Sequence, residues 1–294
     1  MTATFLTVGL AAQLACVWEC TARKPGNVHR ACDFEDVTYL DFLHSAAAIQ
    51  PVLDAAQQKQ ESVGQIVLQA IKATRRVVAT NTNLGILLLL APLSKAGNGN
   101  LRAGIERVLA DLTIADARAV YEAIRLASPG GMGRVQSQDV AEQPTESLRE
   151  VMALAAERDR IALQYVNGFQ DVFAAVAALG QGIERAGSVE GGIVYCHLAL
   201  LAEKPDTLIA RKRGRTEAEE ASRRARSVLA AGWPEEKAAT TKLCDLDRWL
   251  RAEGHARNPG TTADLVTASL FVMLREGNME LPLKIPFEAE NLYG

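Results

Sequence analysis

The sequence predicts an all-α protein, a single large multi-helix domain, on three observations. Apolar residues recur at helical spacing along most of the chain. Aromatic residues make up only 5% of it, and β-branched runs bounded by turn residues, the usual mark of strands, are few. With 294 residues and 48% hydrophobic content, the chain can bury a substantial core, as one large domain or two tightly fused ones.

The elements follow in order. An apolar helical run around residues 5–22 leads into Glu19-Cys20-Thr21-Ala22-Arg23-Lys24-Pro25-Gly26-Asn27-Val28-His29. Pro25 has no N–H and restricts the residue before it, so the helix is expected to end near Arg23. Gly26 allows a sharp turn or a close approach to a ligand. Lys24, Asn27 and His29 should then project from a loop, with Glu19 about one turn back on the helix. A basic helix end followed by an ordinary turn explains the same residues, because cations complement the helix dipole there.

A helix is read around 40–56, and in 63–78 the residues Val63, Ile66, Val67, Ala70, Ile71, Thr74, Val77 and Val78 share one face. The break Ala79-Thr80-Asn81-Thr82-Asn83-Leu84-Gly85 precedes the apolar run Ile86 to Leu90. Polar side chains there cap unpaired N–H groups, and the same geometry makes an anion or sugar-hydroxyl site. One cap would suffice; Asn81, Thr82 and Asn83 exceed it, so a ligand role stands beside capping.

Helices around 101–111 and 114–127 follow, the second capped by Thr113 with Asp116. Ser128-Pro129-Gly130-Gly131-Met132-Gly133-Arg134 could cradle phosphate on backbone amides, with Arg134 as a forked donor. A flexible connection explains it nearly as well, and it is neither a Walker A loop nor a dinucleotide fingerprint. Further helices are read around 146–166, 168–180, 190–202, 217–231, 235–252 and 262–275, with Pro234 at a first helical position.

Between them, Asp206 follows a proline and precedes Arg211, Lys212 and Arg213. An acid followed by a basic cluster suits a metal-bridged polyphosphate, and a capped helix with a solvated basic end suits it too. In Asn258-Pro259-Gly260-Thr261-Thr262-Ala263-Asp264-Leu265, Thr261 and Asp264 form a capping-box-like pair. Asp264, in the first turn of an apolar helix, could also reach a metal or a ribose hydroxyl, with Asp245, Asp247 and His255 nearby in sequence. His44 and His197 fall on apolar helical faces and read as satisfied core or surface histidines.

A net charge of -3 and a pI near 5.9 give no electrostatic case for nucleic acid or an anionic membrane as partner. Five cysteines, an odd count without CxxC spacing, suggest neither a disulfide framework nor a zinc site and fit a reducing cytoplasm. The N-terminus lacks signal-peptide features. The most apolar stretch, Leu84 to Leu93, is far short of the roughly 20 residues a bilayer needs. Residues 288–294 look like a protease-tag remnant, leaving 1–287 as the domain.

Four of these breaks together resemble one family, the triphosphoribosyl-dephospho-CoA synthases, which make the prosthetic-group precursor of citrate and malonate lyases. The family's signatures are read here as Glu19 with Lys24-Pro25-Gly26-Asn27-Val28, as Asn81-Thr82-Asn83-Leu84-Gly85, as Asp206-Thr207, and as Pro259-Gly260-Thr261-Thr262-Ala263-Asp264-Leu265. The resemblance implies an all-α fold with Mg-ATP as one substrate and dephospho-CoA or a related acceptor as the other; a homodimer is compatible with it. The implied reaction attacks C1 of the ATP ribose with an acceptor hydroxyl and expels adenine. On that implication Asp206 and Asp264 hold Mg²⁺, and Lys24, Arg134, Arg211 and Lys212 contact phosphates. Asn27, Asn81, Thr82 and Asn83 orient ribose or phosphate. Glu19 is the general base or charge stabiliser, and His29 protonates the departing adenine.

The chain departs from the family where Asn83-Leu84 replaces His-Lys, where Asn27-Val28-His29 replaces Leu-Val-Asp, and where Gly130 to Arg134 replaces an acidic glycine-rich loop. The acceptor could therefore belong to another cofactor pathway, such as the pterin or furan carriers of one-carbon metabolism. An all-α interaction protein whose polar breaks are merely caps is the non-enzymatic alternative.

Overall fold

The computed structural model describes residues 6–127 and 142–289. Among them are fourteen helices and no strand, so the protein is all-α as its periodicity requires. Contacts divide the chain into two compact units: unit 1 is Met1–Val17, Leu40–Gln170 and Phe271–Asn278, and unit 2 is Trp18–Tyr39, Asp171–Leu270 and Met279–Gly294. The first helix, α1 (Val8–Thr21), and the last, α14 (Gly260–Arg275), contribute residues to both.

Unit 1 holds α2 (Tyr39–Lys59) from its second residue, α3 (Val63–Thr74), α4 (Leu84–Lys95), α5 (Leu101–Ala110), α6 (Ile114–Ala127), α7 (Leu148–Ala155) and α8 (Arg160–Asn167). The leucine-rich run becomes its central helix: α4 is buried at Leu84 and from Ile86 to Leu93, and it packs against α3, α5, α6 and α8. Burial on every face explains why this segment shows no polar stripe. Pro92 lies inside it and has no N–H for the Leu88 carbonyl. The hydroxyl of buried Tyr165 donates to that carbonyl at 2.6 Å instead.

α3 and α6 approach closely at Gly64, where a Cβ would lie 2.5 Å from the Asp116 Cα. Gly64 N donates to Asp116 Oδ1 at 2.8 Å, and Thr113 N and Oγ1 donate to Asp116 Oδ2 at 2.9 and 2.7 Å. The expected Thr113–Asp116 cap is therefore present and also ties two helices together. The single helix expected over 146–166 is instead α7 and α8. Asp159 interrupts it by accepting from Ile161 N and Ala162 N, which starts a new helix.

Unit 2 holds α9 (Gln170–Ala186) from its second residue, α10 (Val189–Glu203), α11 (Thr207–Arg213), α12 (Arg215–Ala230) and α13 (Lys237–Arg251). α10 is buried at nearly every position and packs against α12, which in turn packs on α11 and α13. Val194, Leu198, Ile209, Val228, Trp233, Leu243 and Leu250 form the core between them. Pro234 is not at a first helical position; it lies in the turn ahead of α13, which begins at Lys237.

Candidate active site

The Lys-Pro-Gly corner is built on the end of α1, which stops at Thr21 rather than Arg23. Gly26 has φ +72°, and a Cβ there would meet the Leu250 Cβ at 2.6 Å, so both conformation and space require glycine. Lys24 does not project from the loop as expected. It is fully buried, because its ammonium folds back on the helix end that Pro25 leaves uncapped. There Nζ donates to the carbonyls of Glu19 and Ala22 and pairs with Glu19 Oε1 at 3.1 Å. The basic-helix-end reading thus describes Lys24 well.

Glu19 is itself buried, and burial pushes its carboxyl above the usual range against the pull of the Lys24 charge. Beside it, burial and then the Glu19 charge push the Cys20 thiol up, which leaves that cysteine unreactive.

A cationic cluster surrounds this corner. Arg23 forms a forked pair with Glu190, Nε to Oε1 at 2.9 Å and Nη2 to Oε2 at 3.0 Å. Arg30 adds Nη1 to Oε1 at 2.8 Å and Nη2 to Oε2 at 3.2 Å. Burial would raise the Glu190 carboxyl, but the two arginines hold it down at about 2. His29 lies under the same field. Burial first, then the charges of Lys24, Arg251, Arg30 and Arg23, lower its pKa to about 3, so the ring is neutral. Ala31 N donates to His29 Nδ1 at 3.2 Å, which puts the ring proton on Nε2.

Three of the sequence corners meet within unit 2. Asn27 Nδ2 donates to Asn258 Oδ1 at 2.8 Å, joining the Lys-Pro-Gly corner to the Asn-Pro-Gly corner. Asp206 joins the latter to the acidic-basic segment: its Oδ2 accepts from Thr262 N at 2.8 Å and Thr262 Oγ1 at 2.7 Å. Its Oδ1 caps α11 by accepting from Leu208 N at 2.9 Å and Ile209 N at 3.1 Å. A second tie, Thr207 Oγ1 to Thr261 Oγ1 at 3.1 Å, runs beside it.

A carboxylate has about four lone-pair directions, and these four donors take them all. Asp206 as it stands leaves none for a metal, and its fit is that of a cap and corner tie. Burial still carries its carboxyl above the usual range. Among the described residues no group of three or more His, Cys, Asp or Glu side chains converges as a metal cluster. Asp264 is half-buried on α14, just past the first turn, because the helix starts at Gly260.

Lys212 and Arg211 are exposed on α11. Lys212 Nζ lies 3.4 Å from the His255 carbonyl, and His255 Nδ1 pairs with Asp36 Oδ1 at 2.8 Å. Desolvation lowers the Lys212 pKa while Asp36 raises it. His197 is fully buried; burial and the Lys24 charge lower its pKa to about 3, against the pull of the Pro25 backbone beside the ring.

Asn81, Thr82 and Asn83 belong to unit 1. Asn81 Oδ1 caps Leu84 N at 3.1 Å, Thr82 shares a hydrogen bond with Ser45 Oγ at 2.5 Å, and Asn83 Nδ2 donates to Thr74 Oγ1 at 2.9 Å. One residue does the capping, as one suffices, and the buried Asn83 Oδ1 is left unpaired. A hollow of about 600 Å³ in the same unit is lined by Ser62, Lys95, Asn100, Arg107 and Asp116 among others and by none of the candidate residues. Arg134 lies outside the described residues. Sequence reasoning missed Glu190 and Arg251, whose charges read as ordinary helix surface until their buried partners are seen.

An all-helical protein with a buried, cation-rich corner linking separated polar motifs is suited to substrates that carry several anionic oxygens. The chain belongs to the ATP:dephospho-CoA triphosphoribosyl transferase family, whose profile matches residues 6–282. It is similar to a crystal structure from Archaeoglobus fulgidus, provisionally named a triphosphoribosyl-dephospho-CoA synthase, at 28% identity and a TM-score of 0.61, covering 80% of this chain and 99% of that one. No curated protein matches the sequence.

Proposed function

We propose that the protein transfers the triphosphoribosyl group of ATP to an acceptor hydroxyl, dephospho-CoA or a similar one, and releases adenine. The observation that carries this reading, beside family membership, is the junction of the Lys24-to-Asn27, Asp206 and Asn258-to-Thr262 segments through the Asn27–Asn258 and Asp206–Thr262 bonds. In the reaction the acceptor oxygen bonds to C1 of the ribose as the bond from C1 to adenine breaks. The acceptor loses its proton, the departing adenine gains one, and the triphosphate stays on the transferred sugar.

The transition state is oxocarbenium-like, so negative charge near the ribose helps. Glu19 is the residue proposed for that role or for general base, and burial, by raising its carboxyl above the usual range, makes its carboxylate the stronger base. His29, neutral in the free protein, is proposed to face the adenine; the polyanionic substrate would offset the cations that depress its pKa. Arg211 and Lys212 are proposed phosphate contacts, as is Arg134 on sequence grounds. Asn81, Thr82 and Asn83 keep a proposed ribose or phosphate role.

Asn27 and the buried Lys24 hold the corner rather than reach outward. Magnesium enters as Mg-ATP, the proposed substrate form, with Asp264 proposed as a carboxylate that holds it and Asp206 the tie between the corners. The departures at His29 and Asn83-Leu84 favour a second reading in which the acceptor belongs to another cofactor pathway.

We place the protein in the cytoplasm: its five cysteines form no disulfide, and among the described residues no helix is long and apolar enough to cross a membrane. Residues 1–287 are proposed as one functional domain and a homodimer as the assembly. Incubation with Mg-ATP and a panel of acceptors, followed by chromatography and mass spectrometry, tests the reaction. Free adenine and an acceptor enlarged by triphosphoribose are expected; ADP as the product would make the protein a phosphotransferase and overturn it.

A further inference from the structure

Arg251, the last residue of α13, lies outside every motif, yet its side chain is fixed at the Lys-Pro-Gly corner. Its Nε donates to Asp247 Oδ1 at 2.8 Å, its Nη2 donates to the Asn27 carbonyl at 2.5 Å, and its guanidinium carbon lies 5.4 Å from the Phe34 ring centroid. The same Asp247 oxygen accepts from Gly26 N at 2.7 Å. One carboxylate thus fixes both the glycine turn and the arginine. The remaining nitrogen, Nη1, is buried and has no hydrogen-bond partner.

Guanidinium nitrogens are donors only, and an unpaired buried donor is costly to keep. A fork held rigid on one side with a spare donor on the other is the arrangement that receives an oxyanion with little loss of freedom. The charge is felt locally, since Arg251 is one of the cations that keep His29 neutral. Lys24 has no such spare capacity, because its ammonium is occupied by Glu19 and Ala22.

We propose that Arg251 binds the triphosphate oxygens of ATP and that Asp247 positions it. This assignment rests on the reading of ATP as substrate. Inorganic tripolyphosphate is the probe, because its binding does not require the transfer reaction. Calorimetry should show tripolyphosphate binding to the wild-type protein, weakened about 10-fold or more in Arg251→Met and several-fold in Arg251→Lys, which keeps the charge without the fork. Asp247→Asn should weaken it too, and adding it to Arg251→Met should cause little further loss, the mark of a residue acting through another.

Cooperative unfolding of each variant is checked first; should Arg251→Met not fold, Arg251→Lys carries the comparison. Wild-type affinity in the folded arginine variants, or no tripolyphosphate binding by the wild type, overturns the assignment. If binding depends on Arg251 while no adenine is ever released, the reaction falls and the anion site stands. If adenine is released while binding ignores Arg251, the assignment alone falls.

Discussion

Replacing Asp206 tests whether the side chain shared by two motifs is first of all a structural tie. In Asp206→Ala the α11 cap is lost, a change worth about 1 kcal/mol. Thr262 also loses the acceptor for its buried N–H and hydroxyl, at about 1–3 kcal/mol for each donor left unsatisfied. The sum is about 3–7 kcal/mol, a large part of the roughly 5–15 kcal/mol that a domain has to lose.

Asp206→Asn keeps an oxygen for the helix cap but turns an amide toward Thr262 N, so it should cost about 1–3 kcal/mol. Burial already carries the Asp206 carboxyl above its ordinary range, so the loss of acceptors rather than of charge dominates. Urea unfolding followed by circular dichroism reads both. The expected order of midpoints is wild type, then Asn, then Ala; an Ala variant within about 0.5 kcal/mol of wild type, the scatter of neutral surface changes, would refute the reasoning.

The buried Lys24–Glu19 pair and the two buried histidines give the remaining predictions. Lys24→Met leaves an uncompensated buried carboxylate and should destabilise by about 3–5 kcal/mol, while Glu19→Gln added to it restores most of the loss; equal midpoints for the single and double variants would count against the pair as a lock. His29 and His197 are held neutral, their pKa values lowered from 6.5 to about 3. The unfolded chain therefore takes up more protons between those values, and stability is full above pH 6.5 and falls as pH drops toward 3. Each contributes about 1.4 kcal/mol per pH unit below 6.5, opposed by Glu19 and Asp206, whose raised carboxyls take up protons first in the folded chain, so replacing both rings (His29→Gln with His197→Gln) should remove about 3 kcal/mol of acid destabilisation between pH 7.5 and 5.5 in unfolding free energies from urea curves. The same pH dependence in that double variant as in the wild type would show that these rings are not buried neutral.

Periodicity carried the fold because helices bury stripes that a sequence displays. The Leu84–Leu93 run became α4, and the Val63–Val78 face became α3 as far as Thr74, with Val77 and Val78 past its end. The division of 146–166 was hidden, since Asp159 differs from a solvated helix residue only once its oxygen is seen on Ile161 and Ala162. At the site, the motifs marked the corners but not the task of each residue. A sequence shows the charge of Lys24 but not that Glu19 and two carbonyls absorb it. Nor does it show that Thr262, far along the chain, occupies Asp206. Arg251 was illegible for the opposite reason, because a helix-end arginine reads as solvated until its third nitrogen proves enclosed.

The hydroxyl that serves the Leu88 carbonyl makes positions 92 and 165 dependent on each other, although they sit on different helices. Phenylalanine at 165 is tolerable only alongside a residue at 92 that can again supply its own amide to Leu88. Evolution or design can thus pass from the proline form to an unbroken α4 most easily by changing 92 first, since the reverse order strands an acceptor in the centre of the bundle.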